Sequence, residues 1–324
     1  MSDLKSDKSL PSIAILDDYH SRAHQYADWK TQTFANIEFI SQPFASEDEA
    51  AAVLQHVSAV GLMRERTPFT AALINRLPKL KLIVTSGKQN ASIDTAAATA
   101  QGITVCGTES PGHATAELAF LMVMALSRQL IPLVNSLQQD NDWQPVMGKD
   151  MRNQTLGILG LGRLGAQLAG FAQAMGMNVI AWSQNLTKAH CDSLSVKYVS
   201  RQALFEQADT VSIHLRHSER THALVNAEDL NRLGANGYLV NTSRAEIVDL
   251  DALKQALDNN SIAGAAIDVF DKEPTPKGHW LTQHPRVLAT PHIGYCTDET
   301  FEIFYGQMLE AMKAYYTGGI MRPA

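Results

Sequence analysis

Three residues of complementary chemistry each follow a short apolar run in the second half of the chain. Arg244 lies in NTSRAE after Gly237 to Val240, Glu273 in DVFDKEP after Ala263 to Ile267, and His292 in TPHIG after Val287 to Ala289. Taken singly, each has a plain reading: a solvated loop arginine, a surface glutamate before proline, a structural loop histidine. Together they make a complete set for reducing a 2-keto acid. A guanidinium offers a bidentate fork to the carboxylate and the carbonyl oxygen. An imidazole, which titrates near neutrality, can give a proton to the new hydroxyl. A carboxylate beside that imidazole orients it and favours its charged form.

Such a reduction needs a hydride source, and a fourth stretch suits one. Thr155 to Gly165 reads TLGILGLGRLG, with Gly160, Gly162 and Gly165 in the G-x-G-x-x-G spacing. An apolar strand, Leu156 to Leu159, precedes it, and a helix opening near Arg163 follows. In this pattern the first glycine makes a tight turn, the second lets the backbone approach a pyrophosphate, and the third packs the helix on the strand. The helix N-terminus offers N–H groups and a positive dipole end to phosphates. A second strand, Asn178 to Trp182, ends at Ser183, where such sites usually carry Asp or Glu for the ribose 2′-hydroxyl. Losing that carboxylate removes repulsion against a 2′-phosphate. No arginine follows at once in SQNLTK, and Ser183, Asn185 and Lys188 suit either cofactor, so NAD and NADP both stay open.

Groups at strand ends matter only if a parallel sheet aligns them. Short apolar strands alternate with amphipathic helices throughout, which predicts βαβ units with ligands beyond the carboxyl ends of the strands. The first unit has about five strands: Ser12 to Leu16, Ile37 to Ile40, Ala59 to Met63, Lys81 to Thr85 and Thr104 to Cys106. A helix is expected after the first strand, through Ala27. The second unit has six or seven strands, and the chain closes in a helix, Asp298 to Tyr316. Between the units, Ala114 to Gln138 reads as one long helix, kinked or interrupted at Pro132. It is apolar on more than one face, so burial and a homodimer contact are expected.

The net charge of −6 argues against a nucleic-acid partner. No apolar run reaches the roughly 20 residues of a membrane span. The N-terminal MSDLKSDKSLP lacks the apolar core of a secretory signal and reads as a frayed tail. The cysteines, at 106, 191 and 296, have no paired spacing, which suggests a reducing, cytoplasmic setting. No metal site is expected: His20 and His24 read as surface histidines, and the adjacent His190, Cys191 and Asp192 would point in different directions.

Over nearly its whole length the chain resembles the D-isomer-specific 2-hydroxyacid dehydrogenases. GILGLGRLG, LVNTSRAEIVD, AGAAIDVFDKEP and ATPHIG occur in order, with ILDDY, LMRERT and LKLIVTSGKQNASID ahead of them. The resemblance implies NAD(P)-dependent hydride transfer on a small 2-keto or D-2-hydroxy acid. By it, Arg244 binds substrate, His292 is the general acid/base and Glu273 pairs with it, while Arg64, Gly87 and Lys88 contact substrate. Cofactor contacts would be Gly160, Gly162, Arg163, Leu164, Gly165, Ser183, Asn185, His214, Leu215, Thr221, Thr242, Ser243, Asp268 and Gly294. For His214 and Thr221, strand-end packing is a serious competing reading. The implied fold is α/β with two doubly wound parallel-sheet domains: a Rossmann cofactor domain (109–293) inserted into a flavodoxin-like substrate domain (1–108 plus 294–324). Besides Ser183, two positions depart from the usual pattern: Ala245 stands for a glycine after the arginine, and Gln89 for one in the substrate loop. Ala245 therefore asks for a backbone outside the left-handed region. Within the family, D-3-phosphoglycerate dehydrogenase is the alternative, with Arg64, Arg66 and Lys88 as cations for a phosphate; no appended regulatory domain is expected past Ala324. Outside enzymes, the alternative is a nucleotide-sensing scaffold resembling the C-terminal-binding proteins.

Overall fold

The computed structural model describes residues 10–139 and 141–319. Residues 1–9, most of the stretch read as a frayed tail, lie outside them. The chain divides into two compact units, Met1–Pro111 with Cys296–Ala324, and Gly112–Tyr295.

The first unit is a parallel five-stranded sheet of β1 (Ser12–Ile15), β2 (Asn36–Phe39), β3 (Ala59–Leu62), β4 (Leu82–Thr85) and β5 (Thr104–Gly107). The order is β2-β1-β3-β4-β5. The central strands AVGL and LIVT are buried at every position, as expected of parallel strands covered on both faces. Helices α1 (Glu47–Leu54), α2 (Ala71–Ile74) and α3 (Thr95–Ala100) begin at Ser46, Thr70 and Asp94, each of which accepts a hydrogen bond from a first-turn N–H. The carboxyl-terminal helix, Asp298–Thr317, buries Phe304, Tyr305, Met308 and Met312. It lies so close to β3 that a Cβ on Gly61 would stand 2.3 Å from Met308 Sδ.

The second unit opens with α4 (His113–Ser127) and α5 (Leu130–Gln139). Then come β6 (Thr155–Leu159), α6 (Arg163–Ala174), β7 (Asn178–Trp182), α7 (Lys188–Ser193), β8 (Lys197–Tyr198) and α8 (Arg201–Gln207). The remainder is β9 (Thr210–Ile213), α9 (Ala227–Leu233), β10 (Tyr238–Asn241), α10 (Leu250–Asp258), β11 (Gly264–Ile267), α11 (Trp280–Gln283) and β12 (Val287–Ala289). The strands pair in parallel in the order β12-β11-β10-β9-β6-β7-β8. Alternate residues feed two cores: Leu159, Ile213, Leu239 and Ile267 on one face, and Ile158, Val240 and Ala266 on the other. The chain runs outward from β6 to β8, then crosses back to β9, so the strand order reverses beside β6. That reversal opens a crevice at the carboxyl ends of the strands.

Three expectations are corrected here. After β1 there is no helix through Ala27, only a 3-10 turn over Ala23–Gln25. Ser21 is left-handed at φ 53°, and the Asp18 carboxylate takes the N–H groups of Arg22 and Ala23 at 3.0 Å. The long helix breaks at Gln129 (φ 53°) rather than at Pro132, and α4 and α5 meet at a 63° bend. Pro132 is the third residue of α5, where a missing N–H costs no helical bond. Burial holds only for α4; no residue of α5 is buried, and Leu130, Val134 and Leu137 are exposed. No single described helix is long and apolar enough to cross a membrane, although the bent α4–α5 pair passes that test by length and composition.

Candidate functional site

All of β6, β9, β10, β11 and β12 run in one direction, so the loops that follow them share one edge of the larger sheet. The glycine turn stands there. Gly160 has φ 105°, and a Cβ on it would meet the His214 carbonyl oxygen at 2.8 Å. Gly165 packs on the turn itself, where a Cβ would stand 2.3 Å from Gly160 O. Gly162 differs: its φ is −86°, and a Cβ there would meet nothing within 4 Å. The protein's own packing does not demand glycine at 162. A bare backbone at that point instead opens the first turn of α6, which has no side-chain cap and no acidic residue, to a ligand. Arg163 and Leu164 begin that turn.

A cavity of about 340 Å³ adjoins this turn, lined by Gly160, Leu161, Gly162, Ser183, Asn185, Leu186, Thr187, His190, His214, Leu215 and Arg216. Six of these are expected cofactor contacts. Leu161, Leu186, Thr187, His190 and Arg216 were not anticipated. Arg216 sits three residues past β9, so the strand-end rule applied to β10, β11 and β12 would have found it. His190 Nε2 lies 3.0 Å from Leu161 O and so donates to it, tying α7 to the glycine turn. Asp192 instead pairs with Lys188 at 2.7 Å and Cys191 is buried, so these adjacent residues diverge. Burial lowers the His214 imidazole to about 4, which makes it neutral at pH 7. Its Nε2 is 2.9 Å from Ser212 Oγ. A neutral, oriented ring, a glycine turn and an open helix start together fit a dinucleotide. Thr221 is outside the cavity lining; its hydroxyl donates to Arg216 O (2.8 Å) and accepts from Ser218 N (2.8 Å), closing its own loop.

Past β11 and β12 the groups assemble directly. His292 Nδ1 lies 2.5 Å from Glu273 Oε2, and Glu273 Oε1 accepts from Phe270 N at 2.9 Å. Burial raises the Glu273 pKa, but the His292 hydrogen bond and charge, the Phe270 N–H and the Arg244 charge outweigh it and hold the carboxyl below its usual value. His292 has a left-handed backbone, φ 53°. Asp268, fully buried, holds that loop in place: it accepts from Thr290 Oγ1 (2.6 Å), Ile293 N (2.8 Å) and Gly294 N (2.9 Å). Burial pushes its carboxyl up against these donors. Asp268 and Gly294, both read as cofactor contacts, thus also bond to each other.

Past β10, Asn241 bonds Ser243 N (3.0 Å) and Arg244 O (2.9 Å), and Arg244 Nη1 donates to Ser243 O (2.7 Å). Ser243 Oγ donates to Leu215 O, joining this loop to the one after β9. Thr242 is buried. Ala245 opens a 3-10 turn without a positive φ, as an alanine there requires.

Arg64, Gly87 and Lys88 belong to the first unit. Arg64 is left-handed (φ 54°); its N–H donates to Ser86 Oγ (2.7 Å) and its Nη1 to Ser86 O (3.2 Å). A Cβ on Gly87 (φ 83°) would stand 2.2 Å from Arg64 Nη1, so the pair is in close contact. Lys88 is exposed. Among the described residues no cluster of three His, Cys, Asp or Glu could hold a metal ion.

Residues 120–294 match the family described as D-isomer specific 2-hydroxyacid dehydrogenase, NAD binding domain. The chain is 35% identical over 257 residues to a D-3-phosphoglycerate dehydrogenase of Synechocystis, covering 78% of this chain and 46% of that protein. It is 33% identical over 261 residues to a glyoxylate reductase of Korarchaeum cryptofilum, covering 78% of each. The chain spans about half the length of the D-3-phosphoglycerate dehydrogenases it matches. A solved oxidoreductase from Ralstonia solanacearum superposes with a TM-score of 0.90 at 33% identity, over 97% of this chain and 96% of that one.

Proposed function

The chain belongs to the D-isomer-specific 2-hydroxyacid dehydrogenase family, and from that premise we propose that it reduces a small 2-keto acid to the D-2-hydroxy acid, reversibly. The observation that carries this reading is the 2.5 Å His292–Glu273 pair, with the Arg244 charge acting on the same carboxylate, on the sheet edge that bears the glycine turn. A nicotinamide dinucleotide, when bound, supplies the hydride to the keto carbon. Arg244 grips the substrate carboxylate and polarises the keto oxygen. His292 delivers a proton to that oxygen as it becomes the hydroxyl, and withdraws it in the reverse direction. Glu273 orients the ring and offsets its charge when protonated. Thr242, Ser243 and Asp268 shape the nicotinamide side. Gly160, Gly162, Arg163, Leu164 and Gly165 receive the pyrophosphate, and Ser183 and Asn185 the adenosine end. We also assign substrate-anion binding to Arg64, Gly87 and Lys88.

The test is absorbance at 340 nm with glyoxylate, hydroxypyruvate, pyruvate and 2-ketobutyrate, each with NADH and NADPH. Turnover of at least one is expected; none with any pair would refute the reading. A D-3-phosphoglycerate substrate is the second reading, supported by the names of several relatives and by Arg64 and Arg66 on one loop. Competition between glyoxylate and 3-phosphoglycerate in one assay separates the two.

We further propose a homodimer. Leu130, Val134 and Leu137 of α5, and Trp143 and Met147 in the segment after it, are exposed large apolar residues of the kind that partners cover. Light scattering on the purified chain should give twice the 35.4 kDa chain mass. Cysteines at 106, 191 and 296, without paired spacing, suit a cytoplasmic setting.

A further inference from the structure

We propose that Arg216, together with Ser183 and Asn185, selects a dinucleotide carrying a 2′-phosphate, so that the protein prefers NADPH to NADH. This rests on the dinucleotide reading above and goes beyond it by naming the cofactor and the residue that chooses it.

The cavity beside the glycine turn contains no carboxylate among its described lining residues. Sites for the unphosphorylated ribose usually place Asp or Glu at the end of the second strand, where it binds the 2′-hydroxyl and repels a 2′-phosphate. Here β7 ends at Ser183, a neutral donor. The cation that usually answers a 2′-phosphate follows that same strand, and this chain has none there except Lys188, which pairs with Asp192 at 2.7 Å. The charge comes instead from the loop after β9. Strands β9 and β7 flank β6, so their loops stand on either side of the glycine turn. Gln184 Nε2 donates to Arg220 O at 3.2 Å and ties the two loops together. Thr221, buried, bonds Arg216 O and fixes the backbone that bears the guanidinium. His214 is neutral at pH 7 and His190 is committed to Leu161 O. Among the described lining residues, Arg216 is therefore the one with a permanent positive charge. A planar guanidinium fork matches a phosphate monoester, and the Ser183 hydroxyl and Asn185 amide add donors beside it.

Isothermal titration of the full chain with NADPH, NADH, 2′,5′-ADP and 5′-AMP tests this without turnover. NADPH should bind at least about tenfold more tightly than NADH, and 2′,5′-ADP more tightly than 5′-AMP, the range a charge-assisted contact confers. In Arg216→Ala the NADPH/NADH ratio should fall to near one. Arg216→Lys, a point charge without the fork, should retain part of it, and Ser183→Asp should reverse it. Equal affinities in the parent protein, a preference for NADH, or an unchanged ratio in folded Arg216→Ala would each overturn the proposal. Binding of neither dinucleotide would instead overturn the dinucleotide reading itself.

Discussion

Asp17 and Asp268, buried aspartates of different α/β units, each stand just past the end of a parallel strand, and they are used in opposite ways. Asp268 follows β11 directly and receives three donors, all from the loop that carries His292. Asp17, past β1, receives Thr67 Oγ1 at 2.8 Å on one oxygen, while its Oδ2 has no hydrogen-bond partner among the described residues. Burial raises both carboxyls, and Asp17 reaches about 6 despite the Thr67 hydrogen bond and the Arg66 charge. A fully bonded buried carboxylate fixes a loop; a half-bonded one becomes a group that titrates with pH. The edge of the larger sheet is therefore preorganised around His292. In the smaller unit burial holds the corresponding carboxyl at about 6.

Variants can break this contrast. The largest effect is expected for Arg244→Ala, which under the proposed function removes a charged contact to the reacting substrate. Steady-state kinetics should show kcat/KM lower by about 10³-fold or more. His292→Ala should act mainly on kcat, by about 10²-fold or more. Equal, small losses in both would mean that this edge is not where the chemistry happens.

Asp268→Asn comes next. The new side-chain NH2 would face the main-chain donor, Ile293 N or Gly294 N, that now points at the oxygen it replaces, freeing the Thr290–Gly294 loop. A kcat loss of about tenfold is expected, with about 1–3 kcal/mol of destabilisation measured by urea unfolding. Unchanged kcat would show that the loop holds itself.

Two glycines of the turn differ in the same way on a smaller scale. Gly162→Ala should leave stability within about 0.5 kcal/mol, because its Cβ meets no protein atom, while weakening dinucleotide binding about tenfold. Gly160→Ala should lose binding and stability together, since φ 105° and the His214 carbonyl both oppose a side chain. If titration and melting find the two alike, the second glycine serves packing and not access.

Asp17→Asn should have no direct effect on catalysis. The folded pKa of about 6 lies above the ordinary 3.8, so the folded state binds the proton more tightly than the unfolded chain does. Asp17 therefore costs nothing below pH 3.8. Its penalty grows through that window and is complete above pH 6, at about 3 kcal/mol. Melting curves should show the Asp17→Asn variant gaining at pH 8 and converging with the parent near pH 4. Glu273 has the opposite sign: held below its usual value, it stabilises above pH 4.5 and loses that contribution as pH falls. A pH-independent gap between the Asp17→Asn variant and the parent would remove the contrast between the two aspartates.

Most of the sheet architecture was legible because buried parallel strands write themselves as short apolar runs. Both sheets, five- and seven-stranded, follow from that signal. The failures have local causes. The expected helix through Ala27 is lost because the Asp18 side chain competes for the N–H groups that a helix would need. The break after α4 falls at a left-handed Gln129, a residue with no breaker character, and the visible breaker, Pro132, sits where proline is harmless. Continuous apolar character in α4–α5 does not say which stretch is covered; only α4 lies under the sheet.

Element types, the glycine turn and the residue types at the strand ends were legible in the sequence, because these depend on neighbours a few positions away. It also identified Ser183 as the missing acid. It did not connect Ser183 with Arg216, because those two are separated by more than thirty residues and line one cavity only when β7 and β9 flank β6. The pairing of Glu273 with His292 was expected through the family resemblance, but the sequence did not show that Asp268 holds the loop beneath them. Those are distances between loops of different strands, and only the assembled sheet sets them.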